Sequence, residues 1–314
     1  MSDSCAGNNG KGYDLAVIGA GSAGFSAAIT AAEQGANVAL IGHGAIGGTC
    51  VNVGCVPSKA LIRATESLHH ARAASRFAGI RAEGHVTEWA ALIAQKDEMV
   101  AGLRQAKYAD LLPEYNSISY TRGQARLAAG GVAVNGSLIK APKVIIATGA
   151  RPAVPPISGI ETVDYLTSTS ALELKTLPKR LLVVGGGFVG AELAQVFARA
   201  GVEVTIVCRS RLLPAAEPEI GEALAGYFRQ EGITITCGVA YEFCKKTDKG
   251  VELYVQHDGR QQVLAAEQIL IATGRSPNVE DLVFRRNYKI PIRLQIRFSA
   301  RHEEHQGMPI RQPR

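Results

Sequence analysis

Two cysteines, Cys50 and Cys55, stand five positions apart in residues 47–59, GGTCVNVGCVPSK. Thiols at that spacing can hold a metal, close a structural disulfide, or open and close a disulfide as electrons pass through. The interval is not that of the C-x2-C knuckles of zinc sites, and no second Cys or His cluster is at hand to complete four ligands. The first dozen residues, MSDSCAGNNGKG, are polar and lack a signal peptide's apolar core. A cytoplasmic location is therefore expected, which argues against a structural disulfide framework for the six cysteines. A redox pair is the favoured reading.

A redox pair needs elements that hold it against an electron donor. From Tyr13 the chain reads YDLAVIGAGSAGFSAAITAAEQGANVALIG: an apolar strand, a Gly-rich turn, an Ala-rich helix and a second apolar strand. Gly19, Gly21 and Gly24 form G-x-G-x-x-G directly after the first strand. The first glycine permits the tight turn, the second lets a pyrophosphate approach the backbone, and the third lets helix and strand pack closely. The same grammar returns from Arg180 as RLLVVGGGFVGAELAQVFARAGVEVTIVCRSR, with Gly185, Gly187 and Gly190 in the motif positions. The fold class expected is α/β, with two Rossmann-like dinucleotide-binding domains.

Between the two units a helix from residue 50 to about 76, a helical region around 86–112 and a β-rich run ending KVIIATGARP are expected. The second unit continues with a helix from about residue 217, several short strands and QILIATGRSPN. Each unit thus ends in a strand followed by A-T-G, and the Pro-rich ARPAVPPISG reads as the crossover.

The strand after the first motif ends ALIGHG, with Gly42 where an acid would grip a ribose hydroxyl; this weakens the ribose contact and leaves the pyrophosphate site intact. The matching strand of the second unit ends TIVCRSR, with Cys208 at the acid position and Arg209 and Arg211 just behind it. An acid repels a 2′-phosphate and a guanidinium binds one, so NADPH is expected there rather than NADH. A flavin in the other site, accepting hydride from NADPH and passing two electrons to an adjoining disulfide, gives the thiol pair its partner. Because the pair sits where a helix should begin, and helix N-termini lower thiol pKa values, one thiolate is expected to persist at neutral pH.

Composition bounds this reading. With 314 residues, 46% of them apolar, the chain can build two domains with cores. No apolar run reaches the ~18 residues of a membrane span. The net charge of +6 resides in residues 283–314, which hold eight Lys or Arg against two Glu, and the remainder is balanced. Neither nucleic acid nor a membrane is expected as a partner.

The sequence GGTCVNVGCVPSK, flanked by two dinucleotide motifs, resembles the flavin-dependent disulfide reductases. The stretches ATGARPAVPPISGIETVDYLTSTSALELKTLPKRLLVVGGGFVGAELAQVFARAG and EQILIATGRSPN are, within that family, most similar to mercuric reductases. The resemblance covers about residues 12–282. It implies an FAD domain over 1–151 that carries the redox disulfide, an inserted NADPH domain over 152–270 and the start of a return to the FAD domain over 271–282; the basic segment 283–314 is read as a foreign or disordered tail outside the family pattern. Gly47, Gly48, Thr49, Thr148 and Gly149 would join the Gly19 motif around FAD. The resemblance also implies that Cys55 is the sulfur nearest the flavin, that Cys50 is the outer, interchange sulfur, and that Lys59 lies by the flavin ring and pairs with Glu192. The implied substrate is Hg(II), presented as a thiol complex and ligated by Cys50 and Cys55, since thiolates suit a soft cation.

Other residues are read more plainly. Tyr165 is either an aromatic near the metal or a core tyrosine. His69 and His70 read as helix-surface residues, with no acid or thiol placed to join them. Cys5 reads as an exposed thiol, and Cys208, Cys237 and Cys244 as packed ones.

Several features of the resembling family have no counterpart in this sequence: an N-terminal G-M-T-C-x-x-C metal-binding module, the Gly-Asp pair that closes the flavin domain, and the C-terminal interface domain that makes the family homodimeric. The vicinal cysteines that deliver Hg(II) would be missing with it. Uncovered apolar faces and weakened flavin affinity are expected in the first domain, while the NADPH domain should stand by itself. Two competing expectations are another disulfide reductase, of the lipoamide dehydrogenase or glutathione reductase type, and a nucleotide-binding remnant without catalysis. Arg209, with no acid at position 208, argues against the NADH-using lipoamide enzymes.

Overall fold

An unbroken apolar run suits a strand covered on both faces, and residues 15–18 are buried at every position. In the computed structural model, which describes residues 12–282, this strand opens the order β1 (Leu15–Ile18), α1 (Ser22–Glu33), β2 (Val38–Gly42), α2 (Gly48–Val53), α3 (Cys55–Ala73), α4 (Trp89–Arg104) and β3 (Ile118–Arg122). An antiparallel meander follows, β4 (Ala125–Ala128), β5 (Gly131–Val134) and β6 (Ser137–Lys140), and then β7 (Val144–Ile146). β1 pairs in parallel with β2 and β7, and β2 with β3, so the sheet order is β3-β2-β1-β7.

The second half repeats the plan. After β8 (Ala150–Pro152), β9 (Leu166–Thr167) and the short α5 (Ser168–Ala171) come β10 (Arg180–Val184), α6 (Phe188–Arg199), β11 (Glu203–Cys208), α7 (Pro218–Gln230) and β12 (Thr234–Cys237). A meander of β13 (Ala240–Thr247), β14 (Gly250–His257) and β15 (Arg260–Ala266) leads to β16 (Gln268–Ile271) and β17 (Arg275–Pro277). The parallel order β12-β11-β10-β16-β9 puts β10 in the place of β1 and β16 in the place of β7. The two crossings between the units run side by side, β8 antiparallel to β17.

Alternation along the strands sorts the core. Ala16 and Ile18 cluster with Val132 and Val134 of the first meander, while Leu15 and Val17 cluster with Phe25 and Ala28 of α1. In the second sheet Leu182 and Val184 join Leu253 and Val255 of β14, and Leu181 and Val183 join Phe197 of α6 and Phe228 of α7. The last cluster also takes in Leu61 of α3 and Trp89 and Ile93 of α4. Trp89 donates from Nε1 to the Leu174 carbonyl at 2.7 Å. Each such buried side chain contributes about 1.5–3 kcal/mol, so α3, which begins with Cys55, is fastened to the second unit.

Two expected helices differ from the observed ones. Gly54, at φ −133° and ψ −116°, separates α2 from α3, so Cys50 and Cys55 lie on different helices. A Cβ at Gly54 would come within 2.9 Å of the Thr49 carbonyl oxygen, which is why glycine stands at the break. The region expected to be helical from residue 86 starts at Trp89 and continues past Arg104 as a π-turn over Gln105–Ala109. β7 is the outer strand of its sheet and exposes Ile145 and Ile146. Among the described residues no helix is long and apolar enough to cross a membrane. Cys5 and the basic segment 283–314 lie outside the described residues.

Candidate active site

The first nucleotide turn is set by backbone crowding. Gly19 has φ +125°, and a Cβ there would lie 2.0 Å from the Ala147 carbonyl oxygen; a Cβ on Gly24 would lie 1.7 Å from that of Gly19. Gly21 meets Gly48, whose own Cβ would fall 2.5 Å from the Gly21 Cα, and Gly47 N donates to the Ala20 carbonyl at 2.8 Å. α2, carrying Cys50, therefore rests on the nucleotide turn. Asn52 fixes α2 from within: its Nδ2 donates to the carbonyls of Ile46 at 2.9 Å and Gly48 at 2.8 Å, and its Oδ1 accepts from Arg104 Nη1 at 3.0 Å.

The turn opens into a cleft of about 790 Å³ whose lining includes Gly19, Gly21, Thr49, Cys50, Thr148 and Gly149. At Gly42, the position without its acid, a Cβ would lie 2.7 Å from both the Ala20 Cβ and the Tyr120 hydroxyl brought in by β3, so a side chain there requires its neighbours to shift. Tyr120 lines the same cleft, and burial raises its pKa. The far rim is tied by Arg151, whose guanidinium bonds to Glu280 at 2.9 and 3.1 Å and holds that carboxyl down at about 2. Asn278 Nδ2 adds a bond to the Thr148 carbonyl at 3.0 Å.

Cys50 and Cys55 are both free thiols, Cys50 half-buried and Cys55 exposed. A hydrogen bond with Cys55 raises the Cys50 pKa, burial adds to the rise, and the charge of Lys107 opposes it. Cys50 lies within α2, whereas Cys55 is the member of the pair that begins a helix, α3. One turn beyond Cys55, Lys59 Nζ meets Glu192 Oε1 at 2.6 Å, joining α3 to α6 as anticipated. Ser58 Oγ lies 3.5 Å from the other carboxylate oxygen.

The second turn copies the first. Gly185 has φ +120° and would place a Cβ 2.4 Å from the Ala272 carbonyl oxygen; Gly190 would place one 2.3 Å from that of Gly185. Gly187 faces open space. The adjoining cleft, about 290 Å³, is lined by Gly187, Cys208, Arg209, Arg211, Tyr241 and Arg275, among others. Arg211 donates to the carbonyls of Leu213, Pro214 and Ala216, at 3.4, 3.3 and 2.7 Å. Its guanidinium thus shapes the loop. Arg209 has no hydrogen-bond or ion-pair partner among the described residues and is the better placed of the two to meet a phosphate.

In both clefts the glycines leave the backbone at a helix start bare where a side chain would strike main chain, the form a pyrophosphate requires. Among the described residues no three His, Cys, Asp or Glu side chains converge as a metal site. The thiol pair remains a two-sulfur site.

His69 joins a structural cluster, and Tyr165 is half-buried. Contrary to expectation an acid does join His69: Glu231 lies 3.8 Å from its Nδ1. The same carboxylate is held by Arg199 at 2.7 Å and Gln195 at 2.9 Å, so the cluster links α3, α6 and the end of α7. Tyr165 packs against the second-sheet core of Leu182, Val184 and Val207.

The family model described as pyridine nucleotide-disulphide oxidoreductase matches residues 13–301, running past residue 282, where the resemblance was expected to end. The chain belongs to that family. Among curated pyridine nucleotide-disulphide oxidoreductases it is 45% identical over 276 residues to a mercuric reductase of Lysinibacillus sphaericus, covering 87% of this chain and 50% of the relative. It is 47% identical over 271 residues to that of Streptomyces lividans, covering 84% of this chain and 57% of the relative. The chain thus spans about half the length of the curated relatives it matches. Among solved structures of the fold, the Cu(II) complex of the HOCl-induced flavoprotein disulfide reductase RclA from Escherichia coli superposes with a TM-score of 0.73 at 31% identity, over 87% of this chain and 58% of that one.

Sequence reasoning missed Asn52, Arg104 and Tyr120. Asn52 stood in plain view between the two cysteines; the other two act across the chain and leave no local signal.

Proposed function

We propose that this chain is the electron-transfer core of a mercury(II) reductase, in which NADPH and FAD feed two electrons to the Cys50/Cys55 pair and on to Hg(II). The observation that carries this reading is the seating of the thiol-bearing α2 on the first nucleotide turn through Gly48 and Gly21. The identity of 45% and 47% to mercuric reductases supports Hg(II) as the substrate.

Gly19, Gly21, Gly24, Gly47, Gly48, Thr49, Thr148 and Gly149 hold FAD, and Gly185, Gly187, Gly190, Arg209 and Arg211 hold NADPH, Arg211 through the loop it shapes. Bound flavin supplies the two-electron relay between nicotinamide and disulfide. Cys55 is the sulfur of electron entry, and Cys50 is the sulfur of exchange with the incoming thiol complex. The reduced pair releases two protons as it takes Hg(II) into a two-thiolate site, which suits a soft cation. Lys59, oriented by Glu192, keeps a positive charge one turn from Cys55, where it favours negative charge as it develops.

The test is NADPH oxidation by the purified chain with Hg(II) in excess monothiol. Oxidation that requires Hg(II) and is abolished by Cys50→Ser and by Cys55→Ser supports the proposal; oxidation indifferent to Hg(II) overturns it. The likeness to a flavoprotein disulfide reductase favours a second reading, reduction of a disulfide substrate by the same pair. NADPH oxidation driven by a disulfide and unaffected by Hg(II) selects that reading.

A further inference from the structure

A second pair of cysteines lies at the other nucleotide cleft. Cys208 ends β11 and Cys237 ends β12, and the parallel register pairs them directly. Register partners in neighbouring parallel strands point to the same face of the sheet. Cys208 is buried at 3% exposure, while Cys237 is half-buried on β12, the outer strand of the sheet. Cys208 also touches the nucleotide turn, since a Cβ placed on Gly186 would lie 3.1 Å from its Sγ. Tyr241 closes the cluster: it lines the same cleft and its hydroxyl donates to the Val207 carbonyl at 3.2 Å.

Burial, and then a hydrogen bond with Cys237, push the Cys208 pKa far up, and neither sulfur is in a disulfide. Such a pair is inert toward most cations and open to one that competes with protons for sulfur. Metal–thiolate bonds of about 2.3 Å put the sulfurs of a two-coordinate complex about 4.6 Å apart. Neighbouring strands are about 4.8 Å apart, so two register partners can open from hydrogen-bond distance to that spacing by side-chain rotation alone.

We propose that Cys208 and Cys237 form a second dithiol site, which binds a two-coordinate thiophilic cation and in doing so weakens nucleotide binding in the adjoining cleft. Two S–H bonds break, two metal–sulfur bonds form, two protons leave, and nothing is oxidised. A metal held by the Cys208 sulfur sits close to Gly186, whose carbonyl accepts from Leu213 N at 2.7 Å and so anchors the loop behind Arg209. By linkage, bound NADPH protects the pair from the metal by the same factor. The site lies in the second unit and is independent of the assignment of Cys50 and Cys55.

The experiment uses the full chain carrying Cys50→Ser and Cys55→Ser, titrated with Hg(II) chloride against a monothiol competitor. Bound Hg(II) is read from the ultraviolet thiolate-to-metal band and NADPH binding from nicotinamide fluorescence. The expected result is one more tightly held Hg(II) per chain than in the same protein carrying Cys237→Ser as well, with NADPH binding weakened at least tenfold by the metal and restored by a dithiol chelator. Cys237→Val, suited to an outer strand, serves as a second variant, and NADPH binding by each metal-free variant reports that it is folded. Equal Hg(II) counts with and without Cys237, or NADPH binding unmoved by the metal, would overturn the proposal.

Discussion

At Gly19 and at Gly185 the chain makes one and the same turn, with φ of +125° and +120° and the carbonyl of Ala147 or Ala272 pressed where a Cβ would be. At the next glycine the two turns diverge. Gly21 is packed against Gly48 of α2, whereas Gly187 faces open space. One turn has been joined to a thiol-bearing helix and the other left free for a mobile nucleotide. A motif can thus fix how a pyrophosphate is bound while its neighbours decide what the bound group is next to.

The sharpest way to break this comparison is at the third glycines, where the turns should fail alike. Gly24→Ala and Gly190→Ala each drive a Cβ into backbone and are expected to cost about 3 kcal/mol in urea unfolding. The first should lose flavin and the second NADPH. Retention of both nucleotides by either variant would contradict the shared construction.

The next effect should separate the turns. Gly48→Ala meets the Gly21 Cα at 2.5 Å with φ already +65°, and a loss of about 2 kcal/mol together with flavin is expected. Gly187→Ala enters open space at φ −79° and should stay within about 0.5 kcal/mol of the parent. Equal losses would remove the asymmetry.

Arg209→Ala tests what the second cleft reads. Loss of a charge-assisted bond worth about 1.5–3 kcal/mol should weaken NADPH binding roughly tenfold to a hundredfold and leave NADH unchanged. Arg211→Ala should in addition lower stability, because three loop carbonyls lose a donor.

Smaller effects concern the thiols and the bridge between the units. Since Cys55 raises the Cys50 pKa, less Cys50 is thiolate at a given pH, so its alkylation profile should lie above that of an ordinary thiol. Cys55→Ser should shift the profile downward, as site-resolved mass spectrometry would show. Lys59→Ala removes an exposed ion pair and should change unfolding stability by no more than about 1 kcal/mol, while slowing electron transfer.

Much of this was legible in the sequence because its signals are local. The glycine spacing, the strand before it and the helix after it identify each turn, and residues 47–59 announce the thiol pair. The Lys59–Glu192 bridge was accessible through family resemblance, although the two residues are 133 positions apart. What was hidden depends on distant side chains filling space. Gly42 reads as a lost acid until Tyr120 is seen in the room an acid would need. Arg211 reads as a phosphate ligand until its loop closes on it. The break at Gly54 is invisible to helical periodicity, because it lies in backbone angles, φ −133° and ψ −116°, that the spacing of apolar residues does not encode.

The most direct test of the central claim, that the first cleft places a flavin beside a working thiol pair, is an anaerobic NADPH titration of the flavin-loaded chain followed by its visible spectrum. The account predicts that the chain takes up twice the NADPH equivalents of the Cys50→Ser/Cys55→Ser variant, with a long-wavelength thiolate-to-flavin band at the halfway point. Equal uptake by the two proteins, with no such band, would contradict it.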